Sequence, residues 1–369
     1  MKKTLIALAA LAATGATLAQ SSVTIYGRMD LGMSSIETTN TRNGGVTGGS
    51  ESFSLAGAQN QFTGSRLGFR GTEDLGGGLR AGFVYEIGIN ADRQTTTIAD
   101  TDGNIALGNA QTRLANLSLT GGFGTVVVGT FMNAFDTVRG FTTDVANTPG
   151  GDFLEGHGGL GGRSENAIAY VSPAFSGFTF SVGTVNEEST EGVGAARAGS
   201  EFQGVILGLG YAQGPLRAQF AFVDADGTDV NANAPDQNAD VRNWALGLTY
   251  TLPQVVLSFV YEDGRATGTT VGVAGSNVGE FSAWQIGARF PMGAFTPFVS
   301  FGDGEIEGRS NGVLVDNADT RSWQIGTTYN LSTRTWVYAA VGEFRASGNI
   351  GGAWRDKTDG YSIGLVHTF

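Results

Sequence analysis

The feature that most constrains the fold is an alternation of apolar residues with polar or small ones, which recurs along almost the whole sequence. From residue 23 to residue 31, valine, isoleucine, methionine and leucine take alternate positions, with threonine, tyrosine, arginine and aspartate between them. The same alternation runs through 216–223, 243–250 and 361–369. A period of two residues is typical of a β-strand with one apolar and one polar face. The sequence therefore predicts an all-β fold.

Sixteen such stretches are separated by connections that alternate between short and long. The strands are predicted near 22–33, 61–72, 78–88, 110–120, 123–131, 164–172, 177–185, 201–213, 215–225, 240–252, 254–264, 279–290, 293–303, 319–330, 333–346 and 358–369. Long loops are predicted at 34–60, 89–109, 132–163, 186–200, 226–239, 265–278, 304–318 and 347–357. Tight turns make the other connections, and both chain ends fall on the side of the tight turns.

The sorting of loop lengths by side distinguishes two kinds of β-fold. A soluble sandwich shows the same alternation, but nothing in its architecture places all long loops on one side. A sheet that crosses a bilayer must close on itself, because every backbone polar group there needs a partner. Bacterial barrels have an even number of strands, short periplasmic turns and long external loops. The pattern predicts a 16-stranded antiparallel transmembrane β-barrel in the Gram-negative outer membrane.

The N-terminus has the order of a secretory signal peptide. Lys2 and Lys3 precede the apolar run of residues 5–13, and a group of small residues ends at Ala19. The run is too short to span a bilayer as a helix. We therefore predict a signal peptide over 1–19 and one barrel domain over 20–369.

Composition excludes several classes of function. Without Lys2 and Lys3, 20 basic side chains stand against 34 acidic ones, and this net charge of −14 argues against nucleic acid as a partner. The absence of cysteine excludes a disulfide scaffold and thiol chemistry. His157 and His367 have no catalytic motif beside them, so we expect no enzyme activity. No metal site or cofactor is predicted, apart from calcium held loosely by acidic external loops.

Several segments resemble the trimeric general porins of β-proteobacteria, the neisserial and Burkholderia type. Residues 64–79, GSRLGFRGTEDLGGGL, look like the second strand, first turn and third strand of that family. Further similar segments are 20–27, 122–126, 163–178, 329–335 and the terminal Phe369. The resemblance implies sixteen strands and a homotrimer surrounded by outer-membrane lipid and lipopolysaccharide. It also implies that the barrel-assembly machinery reads Phe369 as an assembly signal.

The resemblance further implies that the third external loop, residues 132–163 (loop 3), folds into the lumen and narrows it. In the family, acids on this loop face basic residues on the wall. The implied acids are Asp136, Asp144, Asp152 and Glu155, and the basic residues at lumen-facing positions are Arg28, Arg66, Arg70, Arg80 and Arg217, with Arg163 at the loop base.

The implied function is general diffusion of small hydrophilic solutes and ions through a water-filled channel. The sequence departs from many relatives at Thr130, where they carry arginine, and lysine is almost absent. Acidic residues also crowd the predicted external loops, so we expect a weak preference for cations. A substrate-selective channel, for example for organic acids, remains an alternative. A non-conducting adhesin or anchor would need a plug or a further domain, of which the sequence gives no sign.

Overall fold

The computed structural model of the chain describes residues 22–55, 64–89, 111–145, 148–151, 153–154, 161–191, 198–230, 237–270 and 275–369. These residues form one antiparallel sheet and a short helix, α1 (Ala134–Arg139). The strands are β1 (Ser22–Arg42), β2 (Gly45–Leu55), β3 (Arg66–Gly76), β4 (Leu79–Gly88), β5 (Gln111–Gly121), β6 (Gly124–Met132), β7 (Arg163–Val171), β8 (Phe178–Glu191), β9 (Ala198–Gln213), β10 (Leu216–Val230), β11 (Gln237–Thr251), β12 (Val256–Thr270), β13 (Ser276–Arg289), β14 (Phe295–Ser310), β15 (Val313–Asn330), β16 (Thr335–Gly348) and β17 (Trp354–Thr368). Within the same residues, no helix has the length and hydropathy needed to cross a membrane.

The sheet closes because its first strand pairs with its last. The β1–β17 register runs from Arg28 opposite Thr368 to Arg42 opposite Trp354. On its other edge, β1 pairs with β3 near its start and with β2 near its end. These two segments therefore share one position in the wall, which makes a closed barrel of sixteen strand positions. The predicted fold class is confirmed.

The C-terminal residue completes this closure. Phe369 and Gly27 exchange two backbone hydrogen bonds of 3.1 Å each, and the Phe369 ring lies over the Cα of Gly27. The absence of a side chain at Gly27 allows this approach. The proposed reading of Phe369 by the assembly machinery stays a prediction. The predicted signal peptide, residues 1–19, lies outside the described residues.

The strands run farther towards the loop end of the barrel than the sequence predicts. Residues 34–60 and 304–318 were expected to be irregular loops, and that expectation is wrong for their described parts. β1 and β2 meet at the turn Asn43-Gly44, and β14 and β15 meet at Asn311-Gly312; all four residues have φ between 50° and 82°. Two-residue turns of this kind match the twist of a hairpin. Strands that project beyond the bilayer have water on both faces, so their sequence shows no apolar alternation.

The outer face is apolar, and it ends in aromatic residues towards the loop end. Large apolar side chains are exposed on every second position, as a lipid-facing wall requires. Ring contacts join Phe220, Trp244 and Tyr261 across β10–β12, with centroid distances of 6.3 and 5.0 Å. A similar contact of 5.7 Å joins Trp284 to Phe301. Aromatic residues favour the membrane interface, so these rings indicate its height on the wall.

The buried core lies inside the barrel, between loop 3 and the wall. Asn133 caps α1 by accepting hydrogen bonds from the backbone amides of Phe135 and Asp136, at 3.0 and 3.3 Å. The helix buries Phe135 and Val138 in a cluster with wall residues of β9–β13, four of which are alanine. Farther along the loop, Val145 packs against a second group of buried residues, Phe298, Tyr338, Ala340 and Val366.

Glycine on the inner face of the wall gives loop 3 its space. Phe141 lies against Gly247, Thr143 against Gly287, and Phe153 against Gly302. A side chain at any of these glycines would occupy the position of the loop residue. The high glycine content thus has a second cause besides the turns.

We predict that filling the space at Gly27 weakens barrel closure. A valine there would collide with the Phe369 ring and with the backbone oxygen of Arg66, so Gly27→Val should lower the free energy of unfolding by about 1–3 kcal/mol. Urea unfolding in detergent micelles measures this change. Gly279→Val is the control, because nothing lies within 4 Å of its Cβ position. Equal stability of the two variants would contradict the closure role of Gly27.

Candidate functional site

Four arginines lie close together on the inner wall formed by β1, β3, β4 and β5. The register places Arg28 opposite Arg66, and Thr24 opposite Arg70, all on lumen-facing positions. Arg113 joins them because it is the extra residue of a β-bulge. Glu86 and Ile87 of β4 pair with Leu114 and Thr112 of β5, and Arg113 lies between these two pairs. A bulge changes the direction of the side chain. We call Arg28, Arg66, Arg70 and Arg113 the arginine cluster.

Glu86 lies at the centre of the arginine cluster. Its carboxylate accepts hydrogen bonds from Arg113 Nε at 2.8 Å and from the Tyr26 hydroxyl at 3.0 Å. The guanidinium of Arg66 lies 3.6 Å from the same carboxylate. Glu86 is 5% exposed, whereas Arg66 and Arg113 are 20% and 22% exposed. The negative charge is therefore shielded behind positive groups that border the lumen.

Aromatic rings orient two members of the arginine cluster. The guanidinium of Arg70 lies over the ring of Tyr26, 5.0 Å from its centroid. The guanidinium of Arg28 lies 5.7 Å from the centroid of the Trp336 ring on β16. Such stacking holds an arginine in place while it keeps its full charge.

Loop 3 is bound to a different part of the wall from the one that carries the arginine cluster. Thr143 donates its amide to Gln285 Oε1 at 3.1 Å, and its hydroxyl contacts Ser258 Oγ at 2.8 Å. Arg289 donates to the backbone oxygen of Thr142 at 2.8 Å. Farther on, the hydroxyl of Thr148 contacts that of Ser362 on β17. The described contacts of loop 3 thus follow the wall up to β17, and the arginine cluster lies on the strands beyond.

The predicted acids of loop 3 have different surroundings. Asp144 accepts a hydrogen bond from Gln285 Nε2 at 3.1 Å, which ties it to β13. Asp136 lies in the first turn of α1, against Gly162 at the loop base. Asp152 and Glu155 lie outside the described residues. One ion pair between loop 3 and the wall has the opposite polarity to the expected one, with Arg139 on the loop and Glu262 on β12, 3.1 Å apart.

The predicted arginines fall into two groups. Arg28, Arg66 and Arg70 are brought together in the arginine cluster. Arg80 and Arg217 are each the second residue of a strand that follows a tight turn, and both are exposed at the turn end of the barrel. Arg163 is exposed at the start of β7, at the base of loop 3. Which of these residues form the narrowest part of the channel stays a prediction.

The sequence interpretation missed Glu86, Arg113, Arg139, Glu262 and Arg289. The alternation of side chains between the two faces of a strand could have found Glu86, Glu262 and Arg289, since each occupies a lumen-facing position of its strand. The same alternation would have placed Arg113 on the outer face, with Leu117 and Leu119, because the β-bulge does not change the sequence of apolar and polar residues. Arg139 needed the position of α1, which depends on tertiary packing.

The chain is similar to known outer-membrane channels along its whole length. A family model described as Gram-negative porin matches residues 4–349. Outer membrane porin protein 32 of Delftia acidovorans is 31% identical, and an outer membrane porin protein of Bordetella pertussis is 28% identical, both over the full length of each chain. The solved structure of an anion-selective porin from Comamonas acidovorans matches with a TM-score of 0.63 at 23% identity, over 95% of this chain and 100% of that one.

The chain belongs to the Gram-negative porin family and to the outer membrane of Gram-negative bacteria. The resemblance to β-proteobacterial porins that the sequence segments indicate is confirmed. Porins are channels, and the relatives are porins, so transport is the class of activity to consider.

We predict that the Glu86 carboxylate stabilises the barrel. In Glu86→Gln, the guanidinium groups of Arg66 and Arg113 lose a negative charge beside them in a nearly buried site, so the free energy of unfolding should fall by about 2 kcal/mol. Glu307→Gln is the control: this carboxylate pairs with Arg309 at an exposed position, where an ion pair contributes at most about 1 kcal/mol. Urea unfolding of both variants measures the difference. A smaller loss for Glu86→Gln than for Glu307→Gln would refute this assignment.

Proposed function

We propose that the chain is a general diffusion porin, through which small hydrophilic solutes and ions pass without specific binding. The observation that carries the proposal is the arrangement of the inner surface. Loop 3 is held against β9–β17 by apolar packing and hydrogen bonds, while the strands with the arginine cluster carry charged groups that border the lumen. Charged groups facing a water-filled passage favour polar solutes and disfavour apolar ones.

We further propose that the channel prefers anions, which departs from the cation preference expected from the sequence. The arginine cluster places four positive charges beside the two carboxylates of Asp30 and Glu86, both of which are buried. The scarcity of lysine and the acidic loops led to the earlier expectation. Of the described loop acids, Glu37 is exposed towards the loop end of β1, well beyond Arg28, and charges exposed to water are screened over about 10 Å at 0.1 M salt.

The test is the reversal potential of the purified, refolded protein in a planar bilayer with a salt gradient. We expect ohmic current and a reversal potential whose sign shows that anions permeate more easily than cations. Arg70→Gln should lower the ratio of anion to cation permeability about twofold, because it removes one lumen charge. Arg321→Gln is the control, since this arginine is 64% exposed on the outer face.

The outcomes separate the two proposals. A reversal potential of the opposite sign would support the cation preference expected from the sequence and contradict the anion preference. It would not affect the porin proposal. A folded barrel that carries no current would contradict the channel itself. An equal change in Arg70→Gln and Arg321→Gln would show that the arginine cluster does not set the preference.

A channel selective for organic acids is the second candidate function. The arginine cluster favours it, because guanidinium groups held by stacking bind carboxylates well. The two candidates differ in the dependence of flux on concentration. A selective channel gives saturable transport and a current that a carboxylate partly blocks, whereas a general porin gives flux proportional to concentration.

We also propose a homotrimer whose contact face includes the outer surface of β1, β3 and β5. Val23, Ile25 and Leu117 are 61–63% exposed there, and Val23 and Leu117 border an apolar hollow over Gly71. One structurally similar porin has been solved in a trimer form. Apolar, strongly exposed surfaces of this kind fit a second copy of the same chain.

We predict that Leu117→Arg separates the trimer into single barrels, since it places a charge in the contact. Leu209→Arg is a matched control, because Leu117 and Leu209 both face outward and both lie four residues before a strand end. Light scattering with size-exclusion chromatography in detergent measures the mass of each complex. Dissociation of both variants, or of neither, would place the contact elsewhere.

A further inference from the structure

The tip of loop 3, formed by Val145 and residues 148–151, is bound to the wall by Gln324 and by the contact of the Thr148 hydroxyl with Ser362. Gln324 faces the lumen side of β15 and is completely buried. Its Oε1 accepts the amide of Val145 at 2.8 Å. Its Nε2 donates to the backbone oxygens of Val145, Thr148 and Pro149, at 3.1, 2.8 and 3.2 Å.

The shape of the tip directs these backbone groups at the wall. Thr148 donates its amide to the Val145 oxygen at 3.2 Å, and Gly151 donates to the Thr148 oxygen at 2.8 Å. On the neighbouring strand, Gly342 has no side chain, and the Pro149 oxygen lies where its Cβ would be. The wall thus has a recess with an amide at its base, and the tip fits into it.

Without the Gln324 amide, the Val145 amide and the Pro149 oxygen would lose the partner described above, whereas the oxygens of Val145 and Thr148 would keep the amides of Thr148 and Gly151. Val145 is completely buried among Phe298, Tyr338, Ala340 and Val366. A carbonyl group that loses its partner in such a site is strongly destabilised. The loop backbone would regain partners by moving away from the wall, into the water of the lumen.

We propose that Gln324 is a positioning residue that sets the width of the channel by holding the tip of loop 3 against the wall. When this binding fails, the tip swings into the lumen and partly blocks the current. The inference rests on the proposed function, because it takes the lumen as the conducting path. It concerns how wide the open channel is, and it holds whether the channel prefers anions or cations.

Single-channel recording of Gln324→Leu tests the proposal. Leucine has a similar volume but no hydrogen-bonding group, so the occupancy of partly closed states should rise about tenfold over that of the unmodified chain. Gln219→Leu is the matched control: Gln219 also faces the lumen, but it donates to the Phe220 oxygen of the wall itself. Steady current in Gln324→Leu, or equal closure in both variants, would overturn the proposal.

A disulfide then tests whether the closures come from the tip. The chain contains no cysteine, and the hydroxyls of Thr148 and Ser362 are in contact. Thr148→Cys with Ser362→Cys, introduced into Gln324→Leu, should restore steady current when oxidised and should close again when reduced. Closures that persist in the oxidised protein would overturn the proposal.

A second variant and a second readout cover the remaining outcomes. If Gln324→Leu does not fold, as judged by heat-modifiable mobility, Gln324→Asn replaces it, because the shorter amide reaches fewer of the loop oxygens. Absence of current in the unmodified barrel would contradict the proposed function alone. The binding of the loop 3 tip by Gln324 is then tested by hydrogen exchange at the Val145 amide. This exchange should be at least about tenfold faster in the Gln324 variant than in Gln219→Leu. Equal exchange in the two variants would overturn the proposal.

Discussion

Every peptide group in the membrane-spanning wall has to find its partner in a neighbouring strand, because hydrocarbon offers none. The chain meets this demand by pairing β1 with β17 and by the two backbone hydrogen bonds between Phe369 and Gly27. Closure also fixes the register, and a slip of one residue would turn every side chain to the opposite face. The position of Arg28, Arg66 and Arg70 inside the lumen therefore depends on the same pairing that makes the wall stable in lipid.

A barrel of sixteen strands is too wide for its wall side chains to fill. Loop 3 supplies the missing core, since Phe135 and Val138 of α1 and Val145 near the loop tip pack against the inner wall. The wall accommodates the loop by presenting glycine and alanine on β10–β16, and by meeting its backbone with Gln285 and Gln324. The buried amides of Gln285 and Gln324 are thus satisfied by the backbone of the loop, as buried polar groups generally require.

The inner surface consequently has two parts with different properties. The part covered by loop 3 is apolar and tightly hydrogen-bonded, while the part on β1, β3 and β5 carries the arginine cluster around Glu86. The residues that hold the loop thus lie mostly on other strands than the arginine cluster, and Trp336 contacts both. On the proposals made above, the width of the passage depends on loop contacts such as those of Gln324, and its charge depends on the arginine cluster.

The sequence by itself determined the strand alternation, the sixteen-strand count, the side of the tight turns and the family, because a two-residue period and loop lengths are local properties of the chain. It also placed Arg28, Arg66 and Arg70 on the lumen face by parity. Only the tertiary structure decided the extension of the strands to turns such as Asn311-Gly312, the inward turn of Arg113, and the contacts of loop 3. Those features depend on bulges, on water reaching both faces of a strand, and on packing between residues more than a hundred positions apart, none of which alters the local pattern.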